Sequence, residues 1–106
     1  MKSIYLITLI TALSVTTAAF AAEDGEALFK NHKCIFCHSM TSKVLGPALQ
    51  NIAIKYRGDN DAQQKLEIKV RTGGAGTWGK VPMPATAKSV SDADIKNMVQ
   101  WVLSIK

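Results

Sequence analysis

Residues 34–38 read Cys34-Ile35-Phe36-Cys37-His38: the only two cysteines of the chain lie three positions apart, and an imidazole follows the second directly. This Cys-x-x-Cys-His spacing is the pattern by which a haem is attached covalently to a polypeptide. Two sulfurs at that offset lie on one side of a single helical turn, so both can bond to the side groups of one planar macrocycle, and the next residue projects beneath the ring. Cys34 and Cys37 are therefore read as the covalent anchors and His38 as the proximal iron ligand. The competing readings are a thioredoxin-like redox pair, a disulfide, or half of a zinc site. A redox pair calls for a βαβ setting and a structural zinc for four ligands. The chain has no further thiols to supply them.

Upstream, Met1-Lys2 precede an uncharged apolar run from Ile4 to Val15, and small residues follow, ending in Ala19-Phe20-Ala21. A basic start, a short apolar stretch and a small-x-small end form an export signal, with cleavage expected after Ala21 and Ala22 as the lesser alternative. An uncleaved anchor competes with this, but the run is short for a spanning helix. Cleavage after Ala21 divides the 106 residues into a signal, 1–21, and one domain, 22–106, which is not expected to insert in a membrane. A domain this small gains little stability from its own core, so a covalently held apolar macrocycle is the plausible source of extra buried surface. A disulfide between cysteines so close would enclose too short a loop to help.

The chain carries 13 basic and 8 acidic residues, a formal charge of +5, of which the signal removes only Lys2. Lys30, Lys33, Lys43, Lys55, Lys80 and Lys88 are scattered, with no aromatic residues interleaved. That pattern argues against nucleic-acid binding. Lysines so spread are most often solvated surface, and part of the set could steer acidic partners.

Asp24 is placed to cap a first helix through Lys30, with Phe29 expected to meet the last helix, and His32 is read as a surface residue at the helix end. Beyond the polar link Ser39 to Lys43, Pro47 opens a short helix whose Leu49, Ile52, Ala53 and Tyr56 share one face, and Gly58 ends it. A third helix is predicted from Ala62 to Thr72, with Leu66, Ile68 and Val70 only loosely periodic, and Gly73-Gly74 stop it. From Gly73 to Ser89 neither helical nor strand periodicity is present, so a long functional loop is expected. Ser91-Asp92-Ala93-Asp94 resembles a capping box that opens a final helix to about Ile105, burying Ile95, Met98, Val99, Val102 and Leu103, with Trp101 at the edge. With no convincing strand and no repeat, the class is all-α.

Iron held by one histidine leaves a sixth position, and its occupant separates a carrier from a catalyst. Of four methionines, Met1 leaves with the signal, Met40 is tied to the His38 side, and Met98 belongs to the last helix. Met83 remains, between Pro82 and Pro84, whose fixed φ angles would hold its thioether with little entropy left to lose. The plainer reading is a methionine that fills a core gap. Ligation by His38 and Met83 would close the iron to oxygen and substrates and favour the ferrous state.

These residues resemble the class I c-type cytochromes, and within them the small bacterial cytochrome c-551/c-552 (cytochrome c8) group. The likeness runs from Glu23-Asp24 through Leu28-Phe29-Lys30-Asn31, Cys34 to His38, Gly46-Pro47-Ala48, Trp78-Gly79, Val81-Pro82-Met83-Pro84 and Val90-Ser91-Asp92 to Trp101-Val102-Leu103. It implies a monomeric class I cytochrome c fold, four to five short helices wrapped around one covalently bound haem c, with the first and last helices crossing where Phe29 meets Trp101. It implies that the Pro47 carbonyl accepts a hydrogen bond from His38 and orients the imidazole. The Trp78 indole N–H is implied to approach a haem propionate, against plain packing as the alternative. Where relatives carry an arginine near the inner propionate this chain has Lys69, with Arg71 close by, so Lys69 is the propionate candidate. Where many relatives have Pro-Pro-Asn after the ligand methionine, Pro84-Ala85-Thr86 stands here, and a loosened ligand loop is the expectation.

The function expected is a periplasmic one-electron carrier between a respiratory donor and a terminal reductase or oxidase, docking briefly and in a salt-sensitive way on redox protein partners. The second hypothesis is a haem peroxidase or gas-binding sensor whose methionine dissociates. Binding of carbon monoxide to the reduced protein at neutral pH would favour it.

Overall fold

In the computed structural model, which describes residues 12–14 and 24–106, four α-helices and one small hairpin surround an apolar cleft. The predicted signal falls outside the described residues except at 12–14. Among the described residues no helix is long and apolar enough to cross a membrane.

The first helix, α1, spans Gly25–Asn31, and the Asp24 carboxylate accepts the Glu26 N–H at 2.9 Å, the cap its position predicts. Lys33, left-handed at φ 65°, turns the chain off that helix into a 3₁₀ turn over Cys34–Phe36. The next helix, α2 (Leu49–Lys55), has no side-chain cap. Its leading N–H groups are satisfied instead by the link behind the cysteines: Leu49 donates to Ser39 O at 2.9 Å and Gln50 to Met40 O at 3.0 Å. Gly58 then turns the chain at φ 82° into α3, Ala62–Thr72. The last helix, α4, is Asp92–Ser104, and the Ser91 hydroxyl accepts the Asp94 N–H at 3.0 Å as the capping-box reading requires.

One expectation is corrected. The stretch from Gly73 to Ser89 is not loop throughout: β1, Gly74–Gly76, pairs antiparallel with β2, Gly79–Met83, in the register Gly74 to Met83 and Gly76 to Gly79 with an irregularity between. Apart from Met83, both strands are exposed along their length. The alternation of apolar and polar residues that marks a half-buried strand therefore has no cause to exist here.

The core lies where α1, α2 and α3 each meet α4. Leu28 and Phe29, Leu49 and Ile52, Leu66, and the α4 stripe Ile95, Met98, Val99 and Val102 are buried together, with Leu103 and Trp101 partly so. The helical stripes read from sequence are thus the buried faces, except that Ile68 on α3 is exposed. Each such side chain contributes about 1.5–3 kcal/mol by leaving water. α1 crosses α4 closely, with the Phe29 and Trp101 ring centroids 5.3 Å apart at 53°.

His32 also departs from its expected role. It does end α1, but its ring is only partly exposed, and its Nε2 lies 3.1 Å from Asp94 Oδ2, tying the end of α1 to the start of α4.

At the head of α3, Lys65 donates to Asp59 Oδ2 at 2.8 Å and the Asp61 N–H donates to Asp59 Oδ1 at 2.9 Å. The Lys65 bond, then the Asp61 N–H, hold the Asp59 carboxyl below its ordinary range, and Asp59 in turn holds the Lys65 amine above its own. A carboxyl whose folded value is depressed stabilises the fold above its unfolded value, and that contribution is lost as pH falls through the folded value. Asp59→Asn is therefore expected to destabilise slightly at neutral pH, with the difference from the parent vanishing in acid. Urea midpoints followed from neutral pH down through the carboxylate range check it. The pair faces solvent, so the effect is small.

Candidate haem site

One wall of the cleft is built from the cysteine turn. Cys37 N–H and His38 N–H both donate to Cys34 O, at 3.1 and 3.0 Å, which winds the two thiols and the imidazole around one turn. Both cysteines are partly buried. Before a haem is attached, burial pushes the Cys34 thiol up from its ordinary value, with Cys37 adding a smaller push in the same direction.

The segment that follows folds back to hold the histidine. Gly46 N–H donates to Cys37 O at 2.8 Å, and His38 and Lys43 form a bridge. His38 Nδ1 lies 2.8 Å from Pro47 O, an atom that can only accept, so Nδ1 carries the proton and Nε2 keeps its lone pair. A glycine is required beside this ring, because a Cβ at position 46 would sit 2.6 Å from His38 Cε1 and 2.9 Å from Nδ1. Here the Gly46-Pro47 pair acts as one device: proline supplies the acceptor and glycine the room.

A second wall is the hairpin, with Met83 at its end between two exposed prolines. Between the walls lies a cleft of about 250 Å³, floored by Leu49 and Ile52 from α2, Leu66 and Val70 from α3, and Met98 and Val102 from α4. Cys34, Cys37, His38, Pro47, Lys69, Trp78 and Met83, the residues picked out from sequence, all line this one cleft. Met40 does not; it is exposed elsewhere, while Met98 is packed in the core.

The positions around the cleft refine the sequence reading. Lys69 lines the cleft, whereas Arg71 turns away from it and binds Ala87 O, Val90 O and Asp92. The Thr86 hydroxyl has its single proton committed to Val70 O at 2.7 Å, so this side chain anchors the segment after Met83 to α3. Trp78 is an exposed part of the cleft lining, with Lys55 Nζ 5.6 Å from its ring centroid, a cation over an aromatic face that ties the hairpin tip to α2. Sequence reading gave Lys55 no such role, and no local signal marks a contact between residues so far apart. It also passed over Gly73, whose position after a helix reads as a plain stop. A Cβ there would lie 2.7 Å from Ala85 N and 2.8 Å from Pro84 C, so Gly73 sets how closely α3 approaches the chain beyond Met83.

The donor set suits a haem: paired thiols and an imidazole with a free Nε2 on one wall, a thioether on the other, and apolar side chains between. Apart from the two thiols, His38 and Lys69 are the only ionisable side chains among the described residues that line it.

The comparisons with known proteins agree with this chemistry. The family model for cytochrome c matches residues 22–106. The chain is 42% identical over 106 residues to cytochrome c-552 of Nitrosomonas europaea, covering all of both chains. To cytochrome c-551 of Pseudomonas aeruginosa it is 38% identical over 106 residues, again covering all of both. The crystal structure of wild-type Nitrosomonas europaea cytochrome c552 superposes with a TM-score of 0.72 at 44% identity, covering 76% of this chain and 99% of that one. The chain therefore belongs to the cytochrome c family, in a class I fold similar to the small cytochromes c-551 and c-552, and its cofactor is one covalently attached haem c.

Proposed function

We propose that this electron-carrying cytochrome c is a soluble periplasmic shuttle whose haem is bonded through Cys34 and Cys37 and whose iron is held by His38 and Met83. The observation that carries this reading is the composition of the cleft. His38, its tautomer fixed by Pro47 O, stands on one wall and the Met83 thioether on the other, and no carboxylate or second imidazole lines the space between them among the described residues. A peroxidase needs an acid or base within reach of the bound oxidant, and the cleft supplies only Lys69, at the wall below the hairpin.

The haem supplies the one-electron change. The chain's part is to keep two ligands fixed so that little rearranges when the charge changes. Pro47 O accepts the Nδ1 proton and keeps the imidazole oriented. Pro82 and Pro84 restrict the backbone on both sides of Met83. The apolar floor excludes water, which favours the ferrous state together with the weakly donating sulfur. Lys69 and Trp78 both line the cleft, and by the family resemblance they are the candidates to meet the propionates, whose charge Lys69 would offset.

Residues 1–21 would carry the chain to the periplasm, where a monomer would dock transiently on its redox partners. Lysines scattered over a basic chain favour brief, salt-sensitive encounters over a lasting complex. The electron-transfer rate to an acidic partner is then expected to fall as ionic strength rises.

Met83→Ala tests the ligation. The reduced parent is expected to show a methionine methyl resonance strongly shifted by the haem ring and no binding of carbon monoxide at neutral pH. The variant should lose that resonance, bind carbon monoxide, and drop in potential by an amount on the order of 0.1 V, within the roughly 0.8 V that axial ligands command. A variant with the parent's spectrum would remove the assignment. A parent that binds carbon monoxide freely would favour the sensor or peroxidase reading.

A further inference from the structure

The chain between Met83 and α4 runs along the last turns of α3, and three attachments hold it there. Gly73 lies against the main chain from Met83 to Ala85. Val70 O accepts both the Thr86 N–H, at 3.2 Å, and the Thr86 hydroxyl, at 2.7 Å. Arg71 fastens the far end: Nη1 donates to Ala87 O at 3.0 Å, and Nη2 donates to Val90 O at 2.8 Å and to Asp92 Oδ1 at 2.6 Å.

Resting on the His38 and Met83 ligation proposed above, we propose that Arg71 is a positioning residue for Met83, a clasp on segment 84–92 that sets how often the sulfur leaves the iron. For the thioether to swing out, the chain on one side of it must slacken. Upstream lies the hairpin, three residues paired with five and exposed apart from Met83, which offers little resistance. Downstream lie the bonds to Val70 O and from Arg71, so those bonds govern the opening. The ion pair is the lesser part of the clasp, because Asp92 is 96% exposed. The hold comes from a partly buried charged donor on two peptide carbonyls, the stronger kind of hydrogen bond. A flat guanidinium reaches Ala87 O and Val90 O at once from two nitrogens, whereas a lysine would offer one compact point of charge. Arg71 lies outside the haem cleft, so its effect on the sixth position has to pass through this segment.

Imidazole capture by the ferric holoprotein reads the opening step directly, because at saturating imidazole the observed rate is the rate at which the sulfur leaves. Arg71→Leu is expected to raise that limiting rate by about tenfold to a hundredfold, the weight of hydrogen bonds from a charged donor. Arg71→Lys should fall between that variant and the parent, and Thr86→Val, which keeps the side-chain shape but loses the hydroxyl, should accelerate capture less. Leu28→Ala is the control, since it truncates a buried residue of α1 that makes none of the clasp's hydrogen bonds and costs more global stability. Its limiting rate should stay within about twofold of the parent, because local opening does not require the core to come apart. Parent-like rates in both Arg71→Leu and Thr86→Val would overturn the proposal, and so would equal acceleration by Leu28→Ala. A reduced parent without the shifted Met83 methyl resonance, before any imidazole is added, would instead overturn the ligation reading itself.

Discussion

Alanine at position 73 is expected to displace Met83 and to cost about 2–6 kcal/mol of stability, as two separate penalties fall on one methyl group. The first is conformational. Gly73 sits at φ 68°, ψ −156°, a region that only glycine occupies freely, and a side chain there costs about 1–3 kcal/mol. The second is steric. The new Cβ would lie 2.7 Å from Ala85 N and 2.8 Å from Pro84 C, with Met83 O closer still, and these are main-chain atoms that no rotamer change can move. Overpacking of this kind costs about 1–3 kcal/mol more. The total is a large share of the 5–15 kcal/mol that stabilises a typical domain. The hairpin is what yields, because Thr86 and Arg71 hold the chain beyond Ala85 to α3 while the strands are largely exposed. Denaturant midpoints of the holoprotein should fall, and the methionine resonance of the reduced form should broaden or vanish. A variant with the parent's midpoint and the parent's ring-shifted methionine resonance would contradict the close approach of α3 to the Met83 segment.

The sequence made legible whatever has a local cause. Asp24 and Ser91 cap their helices because a short oxygen-bearing side chain reaches the next turn's N–H whatever the rest of the fold does. The α4 stripe is buried because a period of 3.6 presents one face to any core. The Cys34 to His38 turn is local too, and Met83, reached by elimination among so few methionines, lines the cleft. The hairpin was missed for a physical reason: a strand announces itself through alternation only when one face is buried, and this one is exposed on both along nearly all its length. The clasps were missed because their partners are distant in the chain. His32 and Asp94 lie 62 positions apart, and Arg71 is 21 positions from Asp92. Charge alone does not say which carboxylate a cation will find. Arg71 illustrates the limit well: proximity in sequence to Lys69 put it near the haem, but residues two apart on a helix point to different sides. The same geometry that sends Lys69 into the cleft sends Arg71 to the segment behind it.

Gly25 is the residue whose effect runs against its propensity, and Gly25→Ala is expected to destabilise the protein by about 1–4 kcal/mol. Judged as part of α1 alone, alanine should help, since it outranks glycine by up to about 1 kcal/mol within a helix and by less at a first position such as this. The crossing reverses the sign. A Cβ on residue 25 would lie 2.6 Å from Trp101 Cβ and closer still to Asn97 O, so α1 and α4 touch here through a glycine surface. Main-chain and Cβ atoms cannot rotate aside, so the helices must part. Overpacking costs about 1–3 kcal/mol. Parting the helices also weakens the Phe29 and Trp101 ring pair, worth about 0.5–1.5 kcal/mol at its 5.3 Å spacing. Phe29 further lies 6.3 Å from the His38 ring, so the shift is felt beside the proposed iron ligand as well. Urea unfolding of the holoprotein decides between the two effects: a lowered midpoint means the crossing dominates, and a raised one means that helix propensity does and that the two helices have room to spare.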